Sequence, residues 1–103
     1  MTTGKNKQQF EKWLEKNFNN HYGDFNSLDF RFQIGVYLAY YDSLGIYINV
    51  ISDFEHICLE TFNYEIIFKN HVNEIECNQG IKTRNEAYKE AFKKADEIIN
   101  KEL

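Results

Sequence analysis

The side chains best able to do chemistry in this chain are Cys58 and Cys77, with His56 and His71 near them in sequence. Thiolate and imidazole are ligands that zinc prefers, and a Cys–His pair is the unit of thiol nucleophiles. If His56 and Cys58 share a strand, both side chains point to one face, as two ligands must. The spacing H-x-C followed by H-x5-C matches no established zinc pattern, however, because neither pair forms a tight C-x-x-C knuckle. No third group can be placed to orient Cys58 and His71 as a nucleophile pair. The favoured reading of both cysteines is packing as small buried hydrophobes. Neither catalysis, a metal nor a cofactor is therefore expected.

Two other groupings point to binding. Lys82 and Arg84 flank the start of the last expected helix, where free backbone N–H groups already favour an anion. They form a candidate anion-binding pair, weighed against the plainer reading of two hydrated surface cations. Tyr37, Tyr41 and Tyr47, with Tyr64 near them, are expected on the outward face of a sheet. A tyrosine row supplies large contact area and a hydrogen bond at low entropic cost, which suits a partner-binding surface. The competing reading is cross-strand packing that merely stabilises the sheet.

Composition narrows the partner. The chain of 103 residues carries a net charge of −4, and its basic residues are ten Lys and only two Arg. Phosphate neutralisation needs clustered cations, so nucleic acid is a disfavoured partner, though aromatic stacking aided by Lys82 and Arg84 is the alternative to protein binding. No apolar run approaches a membrane span and no secretion signal is visible at the start, so a cytoplasmic setting with reduced thiols is expected. One domain over residues 1–103, frayed at 1–4, fits the length. Nine Phe, seven Tyr and one Trp give that domain large side chains to bury.

The elements that must position these groups follow from periodicity. Residues 5–18 read as a helix with Phe10, Trp13, Leu14 and Phe18 on one stripe. From Leu28 to Tyr40 every even position is apolar, which predicts a strand with one buried face. Asp42-Ser43-Leu44-Gly45 reads as the turn of a hairpin, and residues 46–51 as its second strand. Residues 54–63 fit neither period. Residues 64–68 read as a third strand, 70–73 as a turn, and 74–77 as a short fourth strand closed by Asn78-Gln79-Gly80. Thr83-Arg84-Asn85-Glu86 is a capping box that opens a helix to about Lys101. Its apolar face holds Ala87, Tyr88, Ala91, Phe92, Ala95, Ile98 and Ile99, with Asp96 among the residues expected toward water. The expectation is an α+β two-layer sandwich in the order α-β-β-β(-β)-α, both helices on one face of an antiparallel sheet.

Two resemblances accompany this reading. The order helix, three strands, helix resembles the double-stranded-RNA-binding domain in topology, and Lys82 and Arg84 stand at its basic helix start. The Gly-Pro-containing loop of that family is absent, since the chain has no proline. The segment Gly-Ile-Lys-Thr-Arg-Asn-Glu-Ala-Tyr-Lys-Glu-Ala-Phe-Lys-Lys-Ala-Asp-Glu-Ile-Ile, residues 80–99, resembles the C-terminal part of small uncharacterised proteins from phages and mobile elements of gut Bacteroidetes. Residues 35–45 are similar to the same group. That resemblance implies a bacterial cytoplasmic setting and no known chemistry. Together these readings predict a non-catalytic protein-interaction module that binds a protein partner, or dimerises, through a tyrosine-rich sheet face.

Overall fold

A computed structural model describes residues 2–18, 25–56, 59–69 and 75–102, with backbone alone at 53–56, 59–60 and 75–79. The elements are α1 (Gly4–Phe18), a 3-10 turn (Phe25–Ser27), α2 (Phe30–Ser43), β1 (Ile46–His56), β2 (Leu59–Phe68), β3 (Ile75–Ile81) and α3 (Arg84–Glu102). The strands form one antiparallel sheet in the order β1-β2-β3. Helices α2 and α3 cover one face of it, and α1 lies against those two helices. At its thinnest the molecule measures 18 Å, the depth of one helix layer on one sheet. This is the expected α+β fold with helices on a single sheet face, but the helix that joins α3 there is α2; α1, expected on the sheet, packs on the two helices instead.

One element differs from the sequence reading. The run expected as the first strand of a hairpin, Leu28 to Tyr41, is mostly helix α2. Its even-numbered alternation is real, but Tyr37, Ala39 and Tyr41 make the odd positions apolar as well. The helical spacing Val36, Tyr37, Tyr40, Tyr41 is what the fold buries. Asp29 caps the helix by accepting a hydrogen bond from the Arg31 N–H at 2.9 Å. The segment 42–45 is the end of that helix. Gly45 takes φ +76° and its N–H donates to the Asp42 carbonyl at 3.0 Å, the left-handed closure that glycine permits after a last turn.

β1 then leaves directly from Gly45. Ile46 and Ile48 face the helices while Tyr47 and Ile51 face away, the period-2 alternation of a half-covered strand. β2 answers with buried Phe62, Tyr64, Ile66 and Phe68. Register along β1 and β2 runs unbroken from Ile46 opposite Phe68 to Asp53 opposite Thr61. The segment 54–63, unreadable from periodicity, supplies the end of β1 and the start of β2. The turn expected at 70–73 lies outside the described residues, and β3 extends past the expected break at Asn78-Gln79-Gly80.

α3 opens at the expected place, with the Thr83 half of the expected capping box. The Glu86 N–H donates to Thr83 Oγ1 at 3.1 Å, and the Ala87 N–H to the Thr83 carbonyl at the same length. Ala87, Ala91 and Ala95 are fully buried, so the helix axis can approach the sheet closely. Phe92, also fully buried, meets Tyr37 with ring centres 5.2 Å apart and stacks on Tyr41 at 6.0 Å.

Candidate functional site

The densest polar constellation lies between α1, α2 and α3. Asn6 and Asp96 are both buried, Asp96 against the expectation that it faces water. The Asp96 carboxylate accepts four hydrogen bonds: from the Thr3 N–H at 2.8 Å, Thr3 Oγ1 at 2.6 Å, Asn6 Nδ2 at 2.8 Å and Asn100 Nδ2 at 3.2 Å. Tyr40 Oη donates to Asn6 Oδ1 at 2.6 Å, and Asn6 Nδ2 reaches Tyr41 Oη at 3.2 Å. The Asn6 N–H donates to Asn100 Oδ1 at 3.0 Å. Thr3 is thus anchored, against the expectation that residues 1–4 fray; residue 1 lies outside the described residues.

An aspartate beside an asparagine and two tyrosines has the composition of a catalytic cluster, but its geometry is that of a clasp. No buried side-chain N or O atom among the described residues lacks a hydrogen-bond partner. Burial pushes the Tyr37 and Tyr40 hydroxyls up to about 12, with the Asp96 charge adding to it. Tyr41 moves further the same way, burial outweighing the hydrogen bond from Asn6. Phenols held neutral in this way are poor bases and poor nucleophiles at neutral pH. The cluster fixes α1 to its two neighbours. Its sequence signal was a polar residue on an apolar stripe: Asn6 stands four before Phe10, and Asp96 stands four after Phe92.

The tyrosine row does not form. Tyr37, Tyr41 and Tyr64 are buried, because α2 is a helix whose inner stripe points at α1 and α3, and because Tyr64 lies on the covered side of β2. Tyr37 packs on Phe10 with ring centres 5.0 Å apart, and Tyr40, buried beside it, packs on Trp13 at 5.5 Å. Tyr47 alone of the four lies outward, 38% exposed.

What faces solvent instead is the uncovered side of the sheet. Tyr47 and Ile51, the latter 51% exposed, stand there on β1, and Asn49 between them donates to Glu65 Oε1 across the strands at 3.1 Å. Among the described residues the most exposed large apolar side chain is Phe32, at 70%, on α2 rather than on the sheet. The even-position alternation places Phe32 on a buried strand face, whereas the helix turns it outward.

Lys82 and Arg84 are both exposed at the start of α3. The Arg84 guanidinium lies 5.6 Å from the centre of the Phe62 ring, a cation–π contact that gives this cation a role within the fold. The pair Cys58 and His71 lies outside the described residues, as do the side chains of His56 and Cys77. Among the described residues no three His, Cys, Asp or Glu side chains gather as a metal site would require. A hollow of about 220 Å³ lies beside α1, but the rings of Phe10, Phe25 and Tyr37 at its floor are buried against one another. Among the described residues no helix is long and apolar enough to cross a membrane. Comparison with protein-family models, curated proteins and solved structures gives no match.

Proposed function

We propose that this chain is a non-catalytic protein-interaction module whose contact surface is the uncovered face of the sheet along β1. The observation that supports this most is the one-sided helix layer. It leaves Tyr47 and Ile51 exposed on a strand that is also the edge of its sheet. Residues 46–52 contain no charge, no proline and no glycine. The guards of β1, Asp53, Glu55 and an irregular register, come only at its far end, so the stretch 46–52 is left as a template for an added strand. Residues 46–81 carry six carboxylates and one lysine, which favours a basic protein segment and disfavours nucleic acid. A bacterial mobile-element setting is part of the proposal and rests on the resemblance of residues 80–99.

The test is partner capture with the wild-type chain and with a Tyr47→Ser, Ile51→Ser variant. Both side chains are exposed, so folding stability should change little, within about 1 kcal/mol. The proposal expects a partner that the wild type retains and the folded variant releases. Equal retention by both removes the sheet face as the contact surface.

A further inference from the structure

The outward side of α2 has a pattern that the fold itself uses only at Leu38, which is half-buried against the core. Arg31, Gly35, Leu38 and Asp42 follow one another at spacings of four, three and four residues, forming a single stripe opposite the buried Val36, Tyr37, Tyr40 and Tyr41. Arg31, Gly35 and Asp42 are exposed, and Phe32 and Ala39 lie exposed along one side of the stripe. Three features of this face oppose the interest of an isolated helix. Gly35 weakens a helix interior relative to alanine, and a Cβ placed there would meet nothing within 4 Å. Arg31 stands in the first turn, where the helix dipole prefers an anion, and Asp42 stands in the last, where it prefers a cation. Phe32 leaves an aromatic ring in water.

We propose that this stripe is the seam of an antiparallel pair of α2 helices, formed with a second copy of this chain. The charges select that occupant. A two-fold axis passing between residues 36 and 37 sets Arg31 of each copy against Asp42 of the other, so both misplaced charges gain a partner at once. The contact of Arg31 with Asp29 at 3.3 Å uses only Nε, and the rest of the guanidinium fork is available to a second carboxylate. The same axis seats Leu38 over the notch left by Gly35 of the second copy and brings Phe32 close to its Ala39. The two helix dipoles then run antiparallel, each end beside the opposite end of the other. The seam is roughly 16 Å long at 1.5 Å per residue, which places it at the small end of protein interfaces and makes the dimer concentration-dependent.

This inference does not depend on the sheet face. Its test is sedimentation equilibrium of the full chain at low salt, from micromolar to millimolar concentration, with far-UV circular dichroism and melting of each variant. The wild type should dimerise. Asp42→Arg, which sets arginine against arginine, should weaken the dimer at least about tenfold, and Arg31→Glu combined with Asp42→Arg should regain it. Gly35→Leu should abolish the dimer without lowering the melting temperature, since the added side chain meets nothing in its own chain. A strict monomer overturns the proposal. So does a dimer that survives Gly35→Leu and Asp42→Arg, a double variant that fails to regain it, or a dimer lost on Tyr47→Ser with Ile51→Ser, which would locate self-association on the sheet.

Discussion

Replacing Asp96 by Asn tests what holds the first helix in place. The change keeps the shape of the side chain and removes its charge. In the native protein the carboxylate accepts from Thr3 twice, from Asn6 and from Asn100, at 2.6 to 3.2 Å. A hydrogen bond to a charged group stabilises by about 1 kcal/mol more than a neutral one, so four such bonds forfeit roughly 3–4 kcal/mol. Relief of the buried charge's desolvation offsets part of that, leaving a net loss of about 2 kcal/mol. For a domain of this size the melting temperature should fall by roughly 10 °C. Glu97→Gln, one residue on and exposed, is the control and should be neutral within about 0.5 kcal/mol. The readout can be local as well as global. Trp13 is the single tryptophan, sits on α1, and packs edge-on against Tyr40 at 5.5 Å. Its fluorescence should shift toward that of solvated tryptophan at a lower urea concentration in Asp96→Asn than in the control. A variant that melts within about 0.5 kcal/mol of the wild type, with Trp13 undisturbed, would refute the clasp.

Two further outcomes follow from the same packing. Tyr37 and Tyr40 have ionisations raised by burial from 10 to about 12, so between those values the unfolded chain holds fewer protons than the folded one. Their contribution is fully present below pH 10 and is lost as pH rises toward 12, at about 1.4 kcal/mol per pH unit for each tyrosine. Tyrosinate absorbance from these residues should therefore appear together with loss of circular dichroism, and ionisation of every tyrosine in a still-native protein would contradict their burial. Thr83→Ala should destabilise by about 1 kcal/mol in denaturant titration, because it removes the oxygen that accepts from the Glu86 N–H; no change would mean the cap contributes nothing.

How far the sequence disclosed this arrangement differed by element. α1 and α3 were legible because each alternates an apolar stripe with charge at helical spacing, and Thr83 announced where α3 begins. α2 was misread because it is apolar on nearly all sides. In such a segment the 3.6-residue period is masked, and a chance alternation of even positions reads as a strand. Two signals were available there: Asp29 as a cap without an acidic residue three positions on, and Gly45 as the residue after a helix rather than the centre of a hairpin turn. The misreading carried the site with it. A strand places Tyr37 and Tyr41 on the same face, outward in the expected ribbon, whereas a helix turns both toward Phe92. The pairing of Asn6 with Asp96 is illegible in the sequence for a different reason. A single polar residue on an apolar stripe signals a buried polar group, but it does not name a partner that lies 90 residues away.

Hydrogen exchange of the chain alone and with its captured partner tests the proposed function most directly. Strand β1 between Tyr47 and Ser52 should exchange more slowly in the complex, while the solvent side of α3 stays unchanged. Protection confined to the helix layer, with β1 exchanging as it does in the free chain, would contradict a docking surface on the uncovered sheet.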